Sequence, residues 1–261
     1  MTSPTAGITC GLIIPVQKPR ADEVVVALIG DLVSSRHHPD RADLQHRLVA
    51  ALAEVEQLVP SVQPLDVTIG DEFQGAYATL ADAATAALLV RLRLLPDVDT
   101  RYGLGRGTVT VFDAGRDPVS QDGPAWWAAR EAIGQVERTA ASPRGRTGRT
   151  WFAEATSEAD PDPTPGATPG TAAGAGTGVG TGVGTGVGVV AAVNAFLSCR
   201  DDIIGRMSPR AQRLLHGLLL GEQQTAMAQA EGISQSAVSQ SLSSSGAYAV
   251  LRSAELLREV G

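Results

Sequence analysis

Val24 to Ile29 is an unbroken apolar run rich in β-branched residues, as expected of a central strand covered on both faces. It ends in Gly30-Asp31. Asp40 then stands where a helix N-cap belongs, and Leu44, Leu48, Ala51, Leu52, Val55 and Leu58 recur at helical spacing until Pro60. Leu65, Val67 and Ile69 alternate with polar residues into Gly70-Asp71-Glu72, and Phe73 to Tyr77 follows, which predicts a hairpin with carboxylates at its tip. Leu80 to Leu95 reads as an Ala/Leu-rich helix stopped by Pro96, with Arg91 and Arg93 opposing its dipole. Thr100 to Phe112 reads as a strand interrupted by Gly103, Gly105 and Gly107; alternate glycines there imply close approach by another backbone or a ligand. A helix over Trp126–Ala140 and a strand over Thr150–Ala153 complete the order β-α-β-β-α-β-α-β. This is a split β-α-β core expected to carry its helices on one face: an α+β, ferredoxin-like sandwich.

Composition changes that picture at two places. From 157 to 189 the chain turns Pro-rich and then Gly-rich, with Thr-Gly-Val-Gly three times between Thr177 and Gly188. Such a stretch buries too little apolar surface to offset ordering and predicts a flexible linker. Residues 1–22 read as a disordered arm or an extra edge strand, because the run Ile8–Ile14 is too short to span a membrane and lacks a basic start. The expected units are therefore an arm (1–22), an α+β domain (23–156), a linker (157–189) and an all-α domain (190–261).

The last unit carries two further helical patterns, Val190–Ile204 and Pro209–Leu220. Beyond them comes Gln223 to Leu242, with Ala228 where two helices cross, Gly232 for a tight turn and Ser234 as N-cap. Those spacings predict a helix-turn-helix whose exposed Ser234, Gln235, Ser236, Ser239 and Gln240 would face DNA, in a homodimer. No Lys or Arg lies between Ser234 and Ser245; Arg206, Arg210, Arg213 and Arg252 are left to meet phosphates. A packing or dimerisation pair of helices has the same grammar. The net charge of −7 excludes a chain that coats nucleic acid non-specifically. Two distant cysteines, Cys10 and Cys199, give no disulfide framework, so a cytoplasmic setting is expected, without membrane partners.

The chemistry-bearing residues gather around two strand ends. Asp31, Asp71 and Glu72 supply oxygen ligands suited to Mg²⁺ or Mn²⁺, which would bridge a nucleotide's phosphates. Asp31 as a helix-capping residue and Asp71 as a turn residue is the plainer alternative. Arg36, Arg106 and Arg130 are candidate phosphate contacts, and Arg130 the candidate catalytic cation; surface charge explains each as well.

Ile29-Gly30-Asp31, Gly70 to Gly75, Tyr102-Gly103-Leu104-Gly105, Ala128 to Ala132 and Gly232 to Gln240 together resemble the SatD family, in which such an α+β domain precedes a helix-turn-helix. The α+β part is also similar, more distantly, to the palm-like core of class III nucleotide cyclases. That resemblance implies that Asp31 and Asp71 bind metal and that Arg130 belongs to the Asn-x-x-x-Arg motif. Trp126 occupies the asparagine position and Val67 that of the lysine, the residues that hold ribose-phosphate and choose the base. Three functions are consistent with these features. One is a DNA-binding regulator with a cation- and nucleotide-binding domain; another is a metal-dependent nucleotidyl transferase or cyclase-like enzyme. The third is a degenerate fold used for protein contacts.

Overall fold

The computed structural model describes residues 23–35, 39–68, 70–113, 120–143, 145–155 and 185–260. The expectations for the arm 1–22, for Arg36 and for residues 157–184 of the linker lie outside them. β1 (Val24–Leu32) is the pivot of a sheet that continues with α1 (Arg41–Glu56), β2 (Gln63–Val67), β3 (Phe73–Tyr77), α2 (Leu80–Leu94) and β4 (Thr100–Thr108). Then come the short strands β5 (Thr110–Asp113) and β6 (Ser120–Asp122), α3 (Pro124–Ala140) and β7 (Thr150–Glu154). Five strands pair in the order β2-β3-β1-β4-β7, antiparallel except for the β4–β7 pair. The first four reproduce the ferredoxin-like order. The strand read over Thr100–Phe112 breaks at Val109, beyond which β5 and β6 pair with each other in a separate ribbon.

Helices cover both faces, which corrects the one-sided expectation. Val26, Leu28 and Leu32 point toward Leu44, Leu48 and Leu52 of α1 and Ala83, Ala87 and Val90 of α2. Their neighbours Val25, Ala27 and Ile29 point the other way, onto Ala125, Trp126, Ala129 and Ile133 of α3. The alternate glycines of β4 make that second layer possible. A Cβ on Gly103 would sit 2.1 Å from the Ala129 carbonyl oxygen, and one on Gly105 2.2 Å from the Ala129 nitrogen. The approaching group is thus the backbone of α3, not a ligand.

Five helices follow: α4 (Thr185–Arg206), α5 (Pro209–Leu219), α6 (Gln224–Glu231), α7 (Gln235–Ser244) and α8 (Ala247–Val260). A boundary drawn at 189 falls inside α4. Leu197 of α4 is buried with the sheet, whereas Ile204, one helix end away, joins α5, α7 and α8. α2 is shared in the same way, since Leu88 and Leu92 belong to the second core.

Polar groups lock α4 in place. The Asn194 side chain accepts from the Phe152 N–H and donates to the Phe152 carbonyl, both at 2.8 Å, and so satisfies the outer edge of β7 as a neighbouring strand would. About two turns further on, Asp201 is fully buried. It accepts from the backbone N–H groups of Arg149 (2.8 Å) and Thr150 (2.7 Å) and from Arg91 and Arg200 at 3.3 and 3.2 Å. Arg91 and Arg149 also donate to Asp99 at 2.8 and 2.7 Å. Burying so many charges is tolerable because nearly every polar atom has a partner.

Candidate functional site at the acidic end of the sheet

β1 ends where the β2–β3 turn folds back beside it, so Asp31, Asp71 and Glu72 reach one end of the sheet. Gly70, at φ 68°, makes the turn, and Thr68 N–H bonds the Glu72 carbonyl at 2.9 Å to close it. Each acid nevertheless has its own partner. Asp31 lies opposite Arg101 in the β1–β4 register, and the guanidinium engages both carboxylate oxygens, at 2.8 and 2.7 Å. Glu137 of α3 approaches the same guanidinium at 3.2 Å. Asp71 accepts a hydrogen bond from the Ser35 hydroxyl. Glu72 is held by both terminal nitrogens of Arg130, at 2.5 and 2.8 Å.

The electrostatics follow that pairing. Burial pushes the Asp31 carboxyl up from the ordinary range and Arg101 draws it back down, with a net upward shift. Arg101 is pushed up in turn, chiefly by its hydrogen bond to Asp31. The two partners carry opposite signs for the pair, and the bidentate contact decides for an ionised carboxylate at neutral pH. Arg130 is likewise raised, first by its hydrogen bond to Glu72.

A pocket of about 280 Å³ opens on the α1 side, lined by Ser35, Arg41, Gln45, Gly70 and Asp71 among others. Arg106 is not brought here. It lies some five residues along β4 from Arg101, roughly 17 Å at strand rise, exposed and 4.0 Å from Glu154. Arg101, Ser35 and Arg41 are the residues that sequence reasoning missed. The register that sets Arg101 against Asp31 exists only once β1 and β4 are paired.

The donor set does not fit a divalent cation as arranged. Both oxygens of Asp31 and both of Glu72 are committed to guanidinium groups, and among the described residues no three His, Cys, Asp or Glu side chains converge as metal ligands.

In the helical extension, α6 and α7 meet through Gly232, at φ 65°, with Ile233 N–H bonded to the Ala228 carbonyl at 3.0 Å. Ser234 caps α7 by accepting from Ala237 N–H at 3.2 Å. Val238 and Leu242 are fully buried, while Ser234, Gln235, Ser236 and Gln240 are exposed and Ser239 half-buried. The four arginines expected to meet phosphates each have a carboxylate partner. Arg213 and Arg210 approach Glu231 at 2.7 and 3.7 Å, Arg206 approaches Asp202 at 2.8 Å, and Arg252 approaches Glu255 at 3.1 Å.

Fold and site together define an α+β sandwich of ferredoxin-like order carrying a helical extension. Residues 25–142, within the α+β portion, match the sequence model of the SatD family. No curated protein matches the chain. Among solved structures, a bacterial light-regulated adenylyl cyclase is similar at 15% identity and TM-score 0.40, over 49% of this chain and 42% of that one. The chain thus spans less than half of that cyclase's length. The guanylyl cyclase Cya2 is similar at 15% identity and TM-score 0.33, over 43% of this chain and 70% of that one. The guanylyl cyclase domain of the RhoGC fusion protein from the aquatic fungus Blastocladiella emersonii gives 16% and 0.33, over 45% and 77%. Among the described residues, no helix is long and apolar enough to cross a membrane.

Proposed function

We propose that the protein is an intracellular DNA-binding regulator. Its α6–α7 pair reads duplex DNA as a homodimer, and its α+β body senses a phosphate-bearing ligand such as a nucleotide. The observation that carries this reading is the division of α7: Val238 and Leu242 fix the helix from beneath, and its N-terminal half offers Gln235, Ser236 and Gln240 to a groove. Gln suits adenine edges, and hydroxyls suit phosphates. The ion pairs around α7 are exposed, and such pairs contribute only about 0–1 kcal/mol each. A phosphate can therefore take an arginine from its carboxylate at little cost. The absence of charge on α7 itself calls for two copies to supply enough phosphate contacts. The ligand-sensing half rests on the pocket beside Asp71, whose lining includes the cationic Arg41 together with Ser35, the donor to Asp71.

The test is a duplex selected from a random pool by the full chain, followed by titration of Gln235→Ala/Gln240→Ala. The double variant is expected to lose about tenfold or more in affinity, since a good bidentate base contact contributes about 1–3 kcal/mol. Unchanged affinity would remove the base-reading role. The enzymatic reading would use the same pocket, but its candidate catalytic cation, Arg130, does not line that pocket and is held by Glu72. It requires nucleotide turnover that disappears in Asp71→Ala, and wild-type protein that turns over no nucleotide would exclude it.

A further inference from the structure

We propose that Arg101 is the resident cation of the acidic sheet end, holding the carboxylates together so that they take no divalent ion while its guanidinium is in place. Three geometric facts carry this. The Asp31–Arg101 contact is bidentate and lies across directly paired strand positions, so sheet register itself delivers the guanidinium to the carboxylate. The same guanidinium is 3.2 Å from Glu137, so one cation serves acids from β1 and α3, as a bridging metal would. A second guanidinium, Arg130, closes both oxygens of Glu72 in the same manner. The pairs are only partly exposed on the Asp31 side, where the side chains of Arg101 and Asp31 retain 22% and 18% of their accessible surface. Arginine suits this task because its planar fork matches a carboxylate and it stays charged at any working pH.

The inference goes beyond the regulatory reading. A phosphate-bearing ligand at this end would meet fixed guanidinium groups, and its binding would not need a metal. It also explains how an acid pair resembling a metal site stays assembled when its oxygens are already committed.

Titration of the full chain with Mn²⁺, followed by calorimetry, tests the proposal directly. Wild-type protein is expected to show no Mn²⁺ binding that Asp31→Asn removes. Arg101→Ala frees the oxygens of Asp31 beside Asp71 and is expected to gain a site about tenfold or more tighter than anything in wild type. Adding Asp31→Asn to that variant should abolish the gain. Arg101→Gln, which keeps the side chain's length and polar edge, serves the same purpose should Arg101→Ala fail to fold. Wild-type Mn²⁺ binding that Asp31→Asn removes would overturn the proposal. So would a folded Arg101 variant that gains no Mn²⁺ site.

Discussion

Two aspartate–arginine clusters lie beside the start of β4, one at Asp99 and the other at Arg101, and they use the same chemistry in opposite ways. At Asp99 burial opposes ionisation, yet the arginines win. Burial pushes the Asp99 carboxyl up, but Arg91 and Arg149 together hold it below the ordinary range. At Asp31 the same contest ends the other way: burial outweighs the single Arg101, and the carboxyl is held above its ordinary range. The first cluster is closed, with Asp201 receiving two backbone N–H groups and two guanidinium groups. The second is half-open, beside a pocket. The closed cluster staples α4 to the sheet, whereas the half-open one leaves its acid short of compensation beside a pocket.

The largest expected effect comes from breaking the closed cluster. Asp201→Ala leaves Arg200 buried without its anion and Arg91 with Asp99 alone, and should cost about 3–5 kcal/mol of unfolding free energy. Urea denaturation checks it, and a loss below about 1 kcal/mol would show that α4 is held by packing alone. Next is the layer behind the half-open cluster. In Gly105→Ala the new Cβ would lie 2.2 Å from the Ala129 nitrogen and 2.3 Å from the Ala125 carbonyl oxygen, so α3 must shift. The expected loss is about 1–3 kcal/mol, and displacement of α3 should also separate Arg130 from Glu72.

A pH effect sharpens the contrast between charges held and charges avoided. Burial keeps the His216 imidazole below its ordinary range; Glu54, 4.0 Å away, opposes this together with Glu222, and Arg93 adds to it. A base depressed in the fold contributes stability that is present above its unfolded value near about 6.5 and lost as pH falls toward the folded value. Melting temperature should therefore decline on acidification below that point, and His216→Gln should flatten this part of the profile. The smallest effect belongs to Arg130→Ala. Its pair with Glu72 is largely exposed, so thermal stability should change by no more than about 1 kcal/mol. A much larger loss would move Arg130 from the ligand-facing group to the structural one.

Much of this fold was legible because local signals agreed with the tertiary outcome. Asp40 does cap α1, accepting from Asp43 N–H at 2.9 Å, and Gly70 does turn the hairpin. The glycines of β4 announced a close backbone, though only the structure shows that it is α3. Trp126 is buried and Trp127 partly exposed, as two adjacent bulky rings at a helix start suggest. What the sequence hid was long-range pairing. Arg91 reads as a residue opposing a helix dipole, yet it is buried against residues 110 positions away. Asn194 and Asp201 carry no motif, because a side chain that satisfies a strand edge is defined by the strand it meets. Asp31 was found as an acid and misjudged in its company: its partner is set by sheet register, which no spacing along the chain reveals.

The division between the two clusters is tested most directly by urea unfolding at neutral pH of Asp31→Asn and Asp99→Asn, side by side. An acid whose pKa is raised in the fold penalises the folded state once pH exceeds its unfolded value; an acid whose pKa is lowered stabilises the fold over that same range and loses the benefit on acidification. Asp99→Asn should therefore lose about 3 kcal/mol, near the lower end for a broken buried pair. Asp31→Asn should stay within about 1 kcal/mol of wild type or exceed it. Equal losses in the two variants would contradict the division and make the acidic sheet end a structural cluster like the other.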